Sequence, residues 1–497
     1  MYAVYILICS DDSYYTGQSN DLEKRIWQHE TGFFPDCYTF KRRPLRLAWH
    51  TIVQTAEEAT KLEKQIKGWS RKKKEALIKG DIEELKRLAK SSTNPEPDEG
   101  AIDSNSRSVS LSSAPSTSSG VEIKDNESTL SISQPQTLAI GTPSSGSGVD
   151  FLIIGQGISG TWLSYYLKKS GYSILVVDEA KENSASKTAA GIINPVTGRR
   201  IVKTWMIDDL MPVVQESYKE LSSLLEIIAI EKKDIVDFFP TPQMKLAFND
   251  RYKQDQQYLS EPADENSFRS VFNYDFGYGE INPCYLINLQ AILPAYRKKI
   301  ENEKSLLEEK FSLSELKLIP DGVQYKDIRA RRIIFCDGIS SFENPYFRNL
   351  PFAPNKGEVL WIESADLPSS HIFKKGINIV PWNKNTFWVG SSYEWEFEHD
   401  QPTAGFREKT ISLLKHWLKV PFTVVDHKAS VRPATLERRP FVGFHPQHPS
   451  VGIFNGMGTK GCSLAPFFAQ QLVNNLRDQT PIHPEADIKR FARVLSR

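Results

Sequence analysis

The stretch VDFLIIGQGISG, residues 149–160, reads as an apolar strand that runs into a glycine turn and then a helix. Gly155, Gly157 and Gly160 have the spacing of a dinucleotide-binding turn. The first permits the tight turn, the second lets backbone approach a pyrophosphate, and the third lets helix pack on strand. The helical run TWLSYYLKKSG and a second apolar run, YSILVVDEA, complete a βαβ unit. Asp178 ends that second strand 23 residues after Gly155, where a carboxylate can take a ribose hydroxyl. Such a turn usually follows the first strand of its domain, so the 148 residues before Val149 need a separate account.

Working backwards, residues 91–148 hold 17 serines, no Phe, Trp or Tyr, and two Lys/Arg against seven Asp/Glu. A segment of that composition cannot bury enough apolar area to offset its ordering entropy, and is expected to be a disordered Ser-rich linker. Residues 1–90 differ again, with 17 Lys/Arg against 13 Asp/Glu and alternating strand-like and helix-like runs. AVYILI, YYTGQ and PLRLAWHTIV read as strands, and DLEKRIWQHE as a helix. TAEEATKLEKQIKGW is a helix opened by Thr55, with Glu58 completing a capping box. The expected domains are therefore 1–90, the linker 91–148, and 149–497.

The whole chain of 497 residues carries a net charge of only +1, so it is not polarised as a unit. Cys9, Cys37, Cys284, Cys336 and Cys462 are scattered, with no metal-ligand spacing, and fit reduced thiols in a cytoplasmic protein. MYAVYILICS is too short and too soon followed by acids to be a signal peptide or a span, so no membrane association is expected. Oligomeric state is not legible.

Beyond the first turn, AAG at 189–191, with Ala190 and Gly191, suits close backbone approach to a flat ring, and GMGTKG at 456–461, with Gly456, Gly458 and Gly461, is a glycine-rich turn between a strand and a helix. Together with VRPATLERRPFVG at 431–443, they make nearly all of 149–490 resemble the D-amino-acid oxidase (DAO) family of FAD enzymes. The family's run has Asp and Ile where this chain has Glu437 and Val442. The resemblance implies a doubly wound, Rossmann-like FAD domain joined to an antiparallel-sheet substrate domain. It also implies oxidation of the C–N bond of a small amino acid or secondary amine by hydride transfer to flavin N5. It places Arg432, whose planar fork matches a carboxylate, and Lys460 at the substrate. The flavin carries the electrons and the protein orients, so no acid–base residue is required. Accordingly His371, His427 and His445 read as surface or core residues. Tyr393 and Trp395 read equally as pocket or strand core.

In the first 90 residues, Val4-Tyr5-Ile6 and Tyr15-Thr16-Gly17 are separated by a short turn, and Arg25 and His29 share a helix face four residues apart. With Glu63 on a later helix, and with Tyr38-Thr39 and LEKQIKGWSRKKKEALI, this resembles the small single-domain branch of the GIY-YIG endonuclease family, an α/β module. By that resemblance Tyr5 and Tyr15 flank a scissile phosphate. Tyr5 helps deprotonate the attacking water, Arg25 stabilises the phosphate charge, His29 carries a proton, and Glu63 holds one Mg²⁺ or similar cation. The implied partner is DNA. Arg71 to Lys74 form a basic run that grips phosphates or is simply a solvated face.

The expectation is thus an α/β and α+β multidomain fusion of nuclease-like module, linker and FAD oxidoreductase. Two alternatives stay open: the flavin domain acts on a modified tRNA base, or the N-terminal module is a non-catalytic nucleic-acid-binding tag.

Overall fold

The computed structural model describes residues 2–19, 22–30, 37–53, 55–81, 84–85, 87–88, 148–198 and 201–496. The chain divides into two compact units, Met1–Thr129 and Leu130–Arg497. The expected linker 91–148 lies outside the described residues apart from Gly148, which opens a strand.

The N-terminal unit is built on a three-stranded antiparallel sheet of β1 (Tyr2–Ile8), β2 (Tyr14–Ser19) and β3 (Arg46–Val53), in the order β2-β1-β3. β1 is apolar throughout because both of its faces are covered. Ala3, Tyr5 and Leu7 pack with Leu22 and Ile26 of α1 (Leu22–Glu30), and Val4 and Ile6 pack with Ala59 and Ile66 of α2 (Ala56–Lys67). The capping box is present: Glu58 N donates to Thr55, and Thr55 N donates to the Glu58 carboxylate. The basic run begins α3 (Arg71–Lys79), where Arg71 pairs with Glu75 and Lys74 reaches the carbonyl of Lys67.

In the second unit the strand Gly148–Ile154 lies in parallel register between Ile174–Val177 and Ile328–Phe335, which also pairs in parallel with Val451–Asn455. Its side chains alternate between two cores, as a strand buried on both faces requires. Phe151 and Ile153 meet Trp162 and Leu163 of helix Ile158–Lys169, beside helices Ile207–Leu225, Leu289–Asn302 and Gly461–Asp478. Leu152 and Ile154 meet Tyr325, Phe335, Phe347 and Phe441. The two faces are thus covered unequally, by long helices on one side and by strands and short helical turns on the other.

A second eight-stranded sheet takes the order 259–260, 278–281, 235–238, 372–374, 378–381, 386–390, 355–363, 423–432. It is antiparallel as expected, except that 235–237 pairs in parallel with 372–374. TFWVGSSYEW is a strand only as far as Gly390. Beyond it Ser391 and Ser392 leave the ladder and hydrogen-bond to Arg432.

Candidate functional site

Each unit gathers its own polar site. In the first, Tyr5 stands opposite Gly17 in the β1–β2 register. A Cβ on Gly17 would fall 2.5 Å from the Tyr5 hydroxyl, so the glycine is where the buried phenol ring fits. The Tyr5 hydroxyl lies 2.9 Å from His29 Nε2, and His29 Nδ1 lies 2.8 Å from Thr39 Oγ1. Thr39 donates its own proton to Cys37 Sγ, 3.5 Å away, which leaves its oxygen to accept from Nδ1–H. By that assignment His29 Nε2 is the acceptor of the Tyr5 proton. Burial, with Arg25 nearby, pushes the His29 imidazole down to about 4, so it is neutral at ordinary pH.

Tyr15 packs edge-on to His29, with ring centroids 4.7 Å apart. Burial raises both phenols, and Arg25, standing against both, opposes the rise by favouring their anions. Glu63 is close enough for its charge to add to the rise at Tyr5. It is 14% exposed and paired with Lys67 at 2.7 Å. Tyr5, Tyr15, Arg25 and His29 are therefore brought together, with Glu63 beside them. The link from His29 to Thr39 spans ten residues outside any helix or strand spacing, and no periodicity announces it. Among the described residues no cluster of three or more His, Cys, Asp or Glu side chains is placed to hold a metal.

In the second unit a cavity of about 910 Å³ runs along the glycine turn. Gly155, Gly157, Asp178, Ala190, Gly191, Gly458, Gly461, Arg432 and Lys460 all line it. Gly160 and Gly456 do not appear in its wall and act behind it. A Cβ on Gly160 would fall 1.8 Å from Gly155 O, so this glycine closes helix onto turn, and Gly456 sits against Thr435. Gly191 has φ +83°, and a Cβ there would meet Ile287 O at 2.0 Å, so backbone alone forms the wall at that point.

Asp178 is more committed than its spacing suggests. Its Oδ2 accepts from Gln156 N, and its Oδ1 accepts from Ala180 N and from Arg297 at 2.7 Å. A carboxylate has about four acceptor positions, so one remains for a ribose hydroxyl. Arg297 comes from helix Leu289–Asn302, 119 residues away, and carries no local signal.

The far wall is formed by the antiparallel sheet, with Gly357, Lys374, Asn378, Trp388 and Arg432. Lys374 is paired with buried Asp237 at 2.6 Å. Arg432 is different. Its guanidinium donates to Asn355 Oδ1, to Ser391 Oγ at 2.7 Å and to Ser392 O at 3.2 Å, and no ion pair to a carboxylate is formed among the described residues. It lies directly over Gly357, where a Cβ would collide with Nη2. Burial lowers its proton affinity. Lys460 likewise has no carboxylate partner among the described residues; it reaches Thr204 Oγ1 at 3.5 Å, and burial pushes its ammonium down to about 8. Tyr393 is 48% exposed and flanks Arg432, its ring centroid 5.3 Å from the guanidinium carbon. It is thus not strand core. Among the histidines, His445 is buried, while His427 is bonded to Glu358.

The glycine turn, the backbone wall at Gly191 and the open acceptor on Asp178 fit a dinucleotide cofactor lying along this cavity. Residues 150–474 match the family described as FAD dependent oxidoreductase (DAO), and residues 1–76 match the GIY-YIG catalytic domain. A "UPF0213 protein" of Bacillus pumilus is 43% identical over 74 residues, covering 15% of this chain and 74% of the relative. Among solved structures, glycine oxidase from Geobacillus kaustophilus shares the fold with a TM-score of 0.57 at 16% identity, covering 70% of this chain and 98% of that one. Iminodiacetate oxidase from Chelativorans does so with a TM-score of 0.54 at 18% identity, covering 68% and 98%. Among the described residues no helix is long and apolar enough to cross a membrane.

Proposed function

The chain belongs to the DAO family of FAD dependent oxidoreductases, and from that premise we propose that residues 149–497 oxidise the C–N bond of a small amine bearing a carboxylate. The observation that carries this reading is Arg432: a half-buried guanidinium on the cavity wall, held by Asn355, Ser391 and Ser392, that forms no ion pair among the described residues. The carboxylate of a glycine- or sarcosine-like substrate would supply the anion, and Lys460 would add a second positive charge. The FAD, when bound, supplies the hydride acceptor. The chain's own part is to orient the amine's carbon and to exclude water, with Gly155, Gly157, Asp178, Ala190, Gly191, Gly458 and Gly461 holding the cofactor. Substrates named for structural relatives, glycine and iminodiacetate, are amines of this class. An anaerobic flavin-bleaching screen with glycine, sarcosine, proline, D-amino acids and modified tRNA tests the reading. Bleaching by the tRNA alone would overturn it.

For the N-terminal unit, bounded at 1–90 and tethered by 91–148, the proposal is metal-dependent phosphodiester cleavage in DNA. Tyr5, its hydroxyl held by neutral His29 Nε2, helps deprotonate the attacking water, while Arg25 faces the phosphate. Mg²⁺ is satisfied by one or two carboxylates with phosphate and water completing its shell, so Glu63 suffices once Lys67 is displaced. Branched DNA with Mg²⁺ is the assay. If wild type does not cut but still binds, the module is a nucleic-acid-binding tag.

A further inference from the structure

A buried polar cluster outside the cavity lies behind strand Asn355–Glu363. Gly357 and Val359 face the cavity, and the alternation of the strand turns Lys356 and Glu358 to the other side, 1% and 0% exposed. Both oxygens of Glu358 are engaged. One accepts from Thr403 N at 2.7 Å and from His427 Nε2 at 2.9 Å; the other accepts from the Thr403 hydroxyl at 2.8 Å and from Lys356 at 3.2 Å. Burial works against the charge, but these donors outweigh it and hold the carboxyl below its ordinary value. Thr403 is the N-cap of helix Ala404–Trp417, so the anion also faces the positive end of that helix.

The backbone of the same residue holds the other end of the same loop. Glu358 N donates to Ser392 Oγ at 2.9 Å, and Ser392 N donates to Glu358 O at 3.1 Å. Lys356 and Glu394 exchange both backbone hydrogen bonds. Loop 391–403 is thus tied at its start and at its end to one buried glutamate. That loop supplies two of the three acceptors that orient Arg432, and it carries the Tyr393 ring beside the guanidinium. An arginine side chain has many rotamers, so its aim depends on such acceptors.

We propose that Glu358 is a positioning residue for substrate binding: it clamps both ends of loop 391–403 and thereby holds the Arg432 guanidinium toward the cavity. The inference rests on Arg432 as the carboxylate anchor, and the two fail separately in the following experiment. The FAD-loaded full chain is titrated with acetate, read by flavin absorbance, in wild type, Glu358→Gln, Thr403→Val and Arg432→Ala. Amide exchange of loop 391–403 is followed in the same proteins. Glu358→Gln and Thr403→Val are each expected to raise the acetate Kd about 3- to 30-fold, to speed loop exchange and to leave flavin content unchanged. With a turnover substrate KM should rise more than kcat falls. Wild-type loop exchange in both variants overturns the clamp. Acetate binding that is absent in wild type or indifferent to Arg432→Ala overturns the anchor, and loop exchange still judges the clamp. If Glu358→Gln fails to fold, Thr403→Val, which leaves every charge in place, decides.

Discussion

In the N-terminal unit the groups at the centre of the site are kept neutral by burial, whereas in the C-terminal unit a guanidinium and an ammonium stay in the cavity wall with no ion pair to a carboxylate among the described residues. His29 is pushed down to about 4 and Tyr5 upward, so the pair carries no charge and its shared proton stays on the Tyr5 hydroxyl. Arg432 stays a cation because guanidinium does not deprotonate in proteins, and among the described residues no ion pair offsets its desolvation, which Tyr393 and Glu394 oppose only through their fields. The first arrangement handles protons, and the second waits for a charge. Burial alone does not distinguish them; the titration chemistry of the buried residue does.

The comparison breaks most directly at Tyr5. Tyr5→Phe keeps the ring that fills the space above Gly17 and removes the proton, so metal-dependent cleavage should fall by about 10³ with DNA affinity retained. Retained cleavage would mean that the proton takes another route. Next comes the neutrality of His29. Its folded value lies below the unfolded 6.5, so the unfolded chain binds the extra proton first as pH falls. Stability of the N-terminal unit should be complete above pH 6.5 and drop by about 1.4 kcal/mol per pH unit down to about pH 4. Amide exchange of β1 in the full chain, corrected for intrinsic rates, measures this, and His29→Gln should flatten the slope.

On the other side, Arg432→Ala should raise KM for a carboxylated amine by about 10², as expected for losing a charged bidentate contact. An unchanged KM would assign carboxylate binding elsewhere. The smallest effect belongs to Lys460. Its charge is present below about pH 8 and lost above it, so acetate should bind up to about tenfold more weakly at pH 9 than at pH 7. Lys460→Met should remove that dependence while keeping the Arg432 contribution.

Local signals carried the elements far. The glycine turn, the Thr55–Glu58 box and the tyrosines of β1 and β2 all stand where their neighbours in sequence place them. The same signals did not settle every particular. Tyr393 and Trp395 read equally as pocket or strand core, and SSYEW is the loop that grips Arg432, with the strand ending at Gly390. Gly160 closes helix onto turn as its place in the motif implies, whereas Gly456, expected at the cofactor, sits behind the cavity wall against Thr435. Asp178 stands where a ribose hydroxyl is expected, but Arg297, which no local pattern announces, already holds one of its oxygens.

By itself the sequence determined which chemistry each segment can carry: a nucleotide turn at 155–160, paired tyrosines with a basic helix before it, and a segment of serines between. Those properties depend on residue type and on spacings of a few positions, which strand and helix geometry convert directly into neighbours. Only the tertiary structure decided the company each side chain keeps: Thr39 on His29, Arg297 on Asp178, and Glu358 behind the loop that aims Arg432. Charge state and orientation depend on burial and on donors from distant segments. No local period encodes those, so they exist only once the sheets have closed around them.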